Sequence, residues 1–382
     1  MRLLVRGTNG EVKSRVGNVP RWRFLLYINR AFLASLSHEQ GWGQKAETRN
    51  HLGLTSRRSF LWTLAASGLF FRSRFALADP PPPEEPDVIP PPETLDPAYQ
   101  PSAYSSDPST LQRIRIKPPP SQYGTGPWPV AITILPSVFK QGDYYGVPSQ
   151  RWADRDLAAA GFLVFSIDHR LAPPGFILNQ DPTHANPADG RPPEQTNDVK
   201  QQILAAYYDS QCNGQIFLVG GSAGGCHALW CALDAAATVP LWPLPTGAIR
   251  AVASLSAPCD LSSWVGDDPD NVTKFGNDVK NYTNTTTNKD GDKLFQYSVS
   301  PVAKVAGATN IPAIRLFYTW QDPVPHQQAE EMFGALNGHA DVIKYKVNDG
   351  NLHAFNYWHT LNEETGNYVS QDVINFFNQH RS

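Results

Sequence analysis

Residues 215–230, "QIFLVGGSAGGCHALW", set one serine among four glycines. Gly220 and Gly224 bracket Ser222 in a G-x-S-x-G pattern, and Gly221 and Gly225 widen the small-residue cluster. A serine hydroxyl becomes a nucleophile when a neighbouring base takes its proton and a third group holds that base. The surroundings suit the first part of such a device. Residues 216–219 are apolar and partly β-branched, which predicts a buried strand. Residues 226–237 are rich in Ala and Leu, which predicts a helix. A sharp turn between the two lifts the hydroxyl off the sheet and demands small neighbours. The Ala223 amide, opening the helix, can donate to an oxyanion. A phosphate-binding loop would need Lys after its last glycine, and Cys226 stands there instead.

The base and the acid should follow the serine at the carboxyl ends of later strands. "YTWQDPVP" puts Asp322 just beyond the strand-like "AIRLFYTW", and "VNDGNLHAF" puts His353 just beyond "DVIKYKV". Asp260 and Asp349 are the competing acids, Asp349 reading as a turn residue. His326, His359 and His227 are the competing histidines; His326 opens a helix and His227 lies on the helix after Ser222. The set Ser222, Asp322 and His353 fits the required order best.

The other elements fall out of the pattern between these points. "VAITIL", "FLVFSID" and "AIRAVASLSAP" read as buried strands, and "LQRIRIK" as an antiparallel edge strand. "SQRWADRDLAAAG", "EQTNDVKQQILAAYYD", "HQQAEEMFGAL" and "YVSQDVINFFNQH" read as helices. Strands alternating with helices predict an α/β fold, a mostly parallel sheet with helices on both faces. Residues 260–298 are polar and carry the sequon-like "NVT", "NYT" and "NTT". They read as a solvated, lid-like insertion over the carboxyl ends of the strands.

The 382 residues, 41% hydrophobic and 18% charged, suffice for one large α/β domain. Residues 1–78 hold 13 Lys+Arg against 3 Asp+Glu, which leaves the remainder with 19 against 32. An acidic body argues against nucleic acid or an anionic membrane surface as partner. "SRRSFLWTLAASGLFFRSRFALADP" places Arg57 and Arg58 before an apolar run and ends on Ala76-Leu77-Ala78, a spacing for signal peptidase. The run is shorter than the roughly 20 residues of a membrane span. It resembles a twin-arginine export signal, which implies the export machinery as a transient partner and a periplasmic or secreted protein. The expected organisation is a leader at residues 1–55, reading as a start placed too far upstream, then a signal at 56–78. A proline-rich tether at 79–110 and the folded domain at 111–382 follow. The four cysteines form no C-x-x-C pair, so no metal site or disulfide framework is implied.

Further motifs carry a resemblance. "SIDHRLAPP" is similar to a D-Y-R-L-A-P segment, "YSVSPVAKV" to the S-P segment before the acid strand, and "QDPVPHQQAEEM" to a D-x-x-V-P acid motif. Residues 111–382 thus resemble α/β-hydrolases of the esterase/lipase type, in the hormone-sensitive-lipase-like and acetyl-esterase/arylformamidase-like branches. The resemblance implies an α/β-hydrolase fold and cleavage of a small-molecule or polysaccharide-linked ester without cofactor or metal. Where those branches carry H-G-G-G, this sequence reads "ILPSVFKQGD". Pro136 has no N–H to donate, but Ser137 or Val138 can supply the second oxyanion amide beside Ala223. An exopeptidase resembling the prolyl oligopeptidase catalytic domain, and a non-catalytic binding protein on the same fold, are the competing readings.

Overall fold

A computed structural model describes residues 100–101, 113–143, 148–173, 176–178, 190–287, 289–339 and 341–381. The leader at 1–55, the signal at 56–78 and all but two residues of the stretch 79–110 lie outside them. The strands are β1 (Gln100–Pro101), β2 (Arg113–Lys117), β3 (Trp128–Ile134), β4 (Gln141–Asp143), β5 (Leu163–Ile167), β6 (Phe176–Leu178), β7 (Cys212–Gly221), β8 (Ile249–Leu255), β9 (Ala313–Tyr318) and β10 (Val342–Lys346). The helices are α1 (Pro148–Ala159), α2 (Glu194–Tyr207), α3 (Ala223–Leu233), α4 (Pro269–Thr283), α5 (Asp290–Ser298), α6 (Val302–Val305), α7 (Gln327–Ala335) and α8 (Val369–Gln379).

One sheet runs β1-β2-β5-β3-β7-β8-β9-β10, and β4 pairs with β6 apart from it. From β5 to β10 its pairs are parallel, while β2 meets β5, and β1 meets β2, in antiparallel register. Parallel strands need crossover helices, and those helices cover both faces. Alternate residues of each strand therefore enter different cores. Ile132, Leu218, Val252 and Ile314 pack with Ile203 of α2 and Leu229 of α3. Ala131, Phe217, Val219 and Ala253 pack with Leu157 of α1 and Phe377 of α8. This is why these strands read as continuous apolar runs and not as alternating ones.

Two expectations are corrected. The stretch 79–110 is not wholly outside the sheet, because Gln100 and Pro101 pair with Ile114 and Arg113. An outermost strand tolerates proline, which has no N–H to contribute. Residues 260–298 contain helices α4 and α5 where a polar loop was expected. Asp268 caps α4 by accepting from the amides of Asp270 and Asn271, with Pro269 in the first turn. Phe275, Val279 and Tyr282 are buried along α4 at helical spacing, a stripe that the sequons obscure. Its position does match: Asp278 bonds Lys140 Nζ at 2.6 Å, Asn281 Nδ2 donates to the Pro173 carbonyl at 3.0 Å, and Asn271 Nδ2 to that of Asp322 at 3.4 Å. These partners all belong to loops at the carboxyl ends of strands. The four cysteines are free thiols, three of them buried.

Candidate active site

Ser222 occupies the turn between β7 and α3, with φ 53° and ψ −124°. A non-glycine residue held there costs about 1–3 kcal/mol, which the surroundings must offset. Part of the hold comes from the next strand, since the Ser222 amide donates to the Leu255 carbonyl at 2.8 Å. The flanking glycines are explained by close approach. A Cβ on Gly224 would lie 2.3 Å from the Ile134 carbonyl oxygen, and one on Gly221 would lie 2.9 Å from Ala354 Cβ. The serine turn is thus pressed between the segment following β3 and the segment following His353. Both of those segments were expected to serve the site.

Asp322 lies beyond β9 with its side chain fully buried. Its Oδ1 accepts from His353 Nδ1 at 2.7 Å and from the Val324 amide at 2.8 Å. Because Nδ1 carries the proton to the carboxylate, Nε2 of the neutral ring is left as an acceptor. Neither Ser222 Oγ nor His353 Nε2 has a hydrogen-bond partner among the described residues, so the acid–base pair is formed and the serine–base bond is not. Such bonds commonly tighten only with substrate in place.

A fourth residue, which the sequence did not reveal, joins these parts. Ser256, at the end of β8 with φ 53°, donates its hydroxyl to Asp322 Oδ2 and accepts the Ala354 amide at 3.2 Å. Tyr357 Oη stands 3.0 Å from Ser256 Oγ and 3.1 Å from the Phe317 carbonyl. Burial, and then the Asp322 charge, raise the Tyr357 phenol well above its ordinary pKa, so it remains a donor. The competing residues are engaged elsewhere. Asp260 caps Ser262, Asp349 pairs with Lys346, and His359 pairs with Asp156. His326 stacks on Trp320 at 4.0 Å, and His227 is fully buried.

The turn that replaces the glycine-rich segment adopts left-handed backbone without glycine: Val138 has φ 46° and Phe139 φ 60°. The amides of Ser137, Val138 and Ala223 have no acceptor among the described residues. The turn is clamped from behind. The Phe139 carbonyl accepts from Gln195 Nε2 at 2.6 Å and from the Ala172 amide at 2.7 Å, and its ring stacks on Tyr282 at 4.0 Å. Ser137 Oγ turns inward, accepting the Phe139 amide at 3.1 Å and lying 3.4 Å from His169 Nε2.

Two buried histidines complete the clamp, and their partners fix their tautomers. His169 Nδ1 donates to the Arg170 carbonyl at 2.9 Å, leaving Nε2 to accept from Ser137. Gln195 gives its amide N–H to Phe139, so its Oε1 accepts from His227 Nε2 at 3.0 Å, and His227 Nδ1 accepts from Thr196 Oγ1 at 3.0 Å. Both rings are neutral. Burial lowers the pKa of His169, while Asp198 and the Arg170 and Leu135 carbonyls oppose it; burial and then His169, 4.8 Å away, lower that of His227. A folded pKa below the unfolded value means that the unfolded chain binds more protons below about pH 6.5. Stability from this pair is therefore full above that pH and lost on acidification. The expected result is a melting temperature that falls from pH 7 to pH 5. A slope unchanged in the double variant His169→Gln, His227→Gln would contradict the assignment.

A mostly parallel sheet, helices on both faces, and a serine turn, an acid and a histidine gathered at one end of it define an α/β-hydrolase fold. Solved structures share it. Esterase B from Lactobacillus Rhamnosis aligns with a TM-score of 0.53 at 17% identity, over 74% of this chain and 84% of that one. A truncated carbohydrate esterase from gut microbiota gives 0.53 at 18% identity, over 74% and 95%. An acetyl ester-xyloside bifunctional hydrolase from Caldicellulosiruptor lactoaceticus gives 0.50 at 14%, over 72% and 89%. At these identities the likeness is one of fold. No family model matches the sequence, and no curated protein matches it.

Proposed function

We propose that the protein is a serine hydrolase of carboxylic esters, working through an acyl-enzyme. The observation that carries this reading is the pairing of buried Asp322 with part-exposed His353, whose loop packs directly on Gly221 beside the strained Ser222 turn. Ser222 Oγ attacks the acyl carbon while His353 Nε2 takes its proton, and Asp322 holds the ring and stabilises the imidazolium. The Ala223 amide and the amide of Ser137 or Val138 receive the developing oxyanion. His353 then protonates the departing alkoxide, and water repeats the sequence to release the acid. Two of the structural neighbours are esterases, which agrees with this chemistry. The test is labelling by a fluorophosphonate together with turnover of p-nitrophenyl acetate. Both are expected in the wild type and neither in Ser222→Ala; a labelled Ser222→Ala protein would sink the assignment.

Export is the second part of the proposal, and it rests on Arg57-Arg58, the apolar run and Ala76-Leu77-Ala78. Arg57→Lys with Arg58→Lys should retain precursor in the cytoplasm, and exported protein should begin at Asp79. A mature chain that still carries Arg30 would overturn the signal.

A further inference from the structure

Beside the acid there is a cavity of about 440 Å³ whose wall includes Asp322, Trp320, Gln321, Asn351, Asn271 and Asp267. That volume falls in the roughly 300–1,000 Å³ range of small-ligand sites. Its lining is unusual for a hydrolase substrate pocket. Trp320 is 44% exposed, and its indole N–H has no acceptor among the described residues. The indoles of Trp128, Trp230, Trp242, Trp264 and Trp358 all donate to a protein group. One side of Trp320 rests on His326, with ring centroids 4.0 Å apart and planes inclined by 23°. Lys346 Nζ, tied to Asp349 at 2.7 Å, approaches the ring to 5.7 Å on a long, part-exposed stem that can swing aside. Around the indole stand the amides of Gln321, Asn351 and Asn271, and a carboxylate, Asp267, steadied by Gln327 Nε2 at 3.3 Å.

We propose that this cavity is a subsite for a neutral saccharide, which makes the alcohol part of the ester a sugar. The inference rests on the ester-hydrolase reading and extends it to the substrate. A pyranose offers a face of C–H groups, which settles on the negative face of an indole, and a rim of hydroxyls, which needs amide and carboxylate partners. Both features converge here. An acyl chain would desolvate the polar wall without replacing its hydrogen bonds. A uronate would meet Asp267 and the neighbouring Asp268 with like charge, so the sugar is uncharged. The placement also follows from mechanism. His353 must protonate the leaving alcohol, so the alcohol lies on the His353 side of Ser222. Asn351, two residues before His353, and Gln321, one before Asp322, both line the cavity, in loops joined by the Gln321 amide and the Gly350 carbonyl at 3.0 Å.

The experiment measures binding of xylotetraose, mannotetraose and tetragalacturonate to Ser222→Ala protein by calorimetry and tryptophan fluorescence. A second arm compares kcat/KM for acetylated xylotetraose and p-nitrophenyl acetate in Ser222-containing protein. A neutral tetrasaccharide should bind, tetragalacturonate should not, and Trp320→Ala should weaken binding at least tenfold. Trp320→Phe, which keeps an aromatic face, should restore most of it. Trp320→Ala should also lower the ratio of kcat/KM for the acetylated saccharide over p-nitrophenyl acetate at least tenfold, through KM. Absence of saccharide binding, or equal binding by folded Trp320→Ala, overturns the subsite even where p-nitrophenyl acetate is turned over. Tight binding of tetragalacturonate also overturns it. Saccharide binding without any ester turnover leaves the subsite standing and removes the hydrolase reading.

Discussion

Ser222→Ala should lower turnover of p-nitrophenyl acetate by roughly 10⁶-fold, and His353→Ala by a similar factor, because the two act as one unit. Asp322→Asn should lower it by about 10⁴-fold. The reason lies in the direction of one proton. Asp322 Oδ1 accepts from His353 Nδ1, whereas an asparagine can present N–H to that nitrogen and select the tautomer with Nε2 protonated. A ring in that form cannot take the serine proton. Asp260→Asn is the control, since Asp260 is occupied in capping Ser262 on the loop after β8. All four variants should melt as cooperatively as the wild type. A crippled Asp260→Asn beside a mild Asp322→Asn would show that the acid is misassigned.

The second large effect is expected at a residue that holds the oxyanion turn from behind. Gln195→Ala removes the 2.6 Å bond to the Phe139 carbonyl and the acceptor of His227 Nε2. Left-handed backbone costs non-glycine residues roughly 1–2 kcal/mol each, and Val138 and Phe139 both adopt it. Without its clamp the turn relaxes and an oxyanion amide moves away. Loss of one such donor lowers kcat by about 10²–10³-fold. The loss should fall on kcat and leave KM within a few-fold, because the amides act on a charge absent from the bound ester. Gln195→Met should lose nearly as much, since a thioether cannot donate to a carbonyl. Wild-type kcat in both variants would show that the turn holds itself.

The periodicities that reveal buried strands and crossover helices are local, and they exposed the parallel sheet. The placement of Ser222, Asp322 and His353 at one end of the sheet was legible because each sits where an apolar run ends, and strand ends of a parallel sheet meet in space. Ser256 was not legible. One serine at a strand end looks like any other, and its role depends on Asp322 and Ala354, which are distant in sequence. The four-glycine cluster was read as the needs of a tight turn, yet Gly221 and Gly224 answer to residues over 80 positions away. Gln195 and His227 looked like ordinary helix positions, because their partners lie on a turn that departs from the expected glycine motif. Helix α4 was hidden because its apolar stripe is narrow and its outer face is crowded with Asn and Thr.

Tyr282 belongs to α4, yet its ring is the stacking partner of Phe139. The insertion therefore supplies part of the turn that stands beside Ser222. In evolutionary terms, these two regions are not free to vary separately. A lineage that shortens the insertion loses the aromatic support under Val138 and Phe139, and restoring glycines to that turn is its simplest remedy. Relatives lacking α4 should therefore carry glycine at these positions, and relatives with a bulky turn should retain an aromatic residue at the place of Tyr282. Transplanting the insertion alone onto another hydrolase would move a roof without the beam it was shaped to hold.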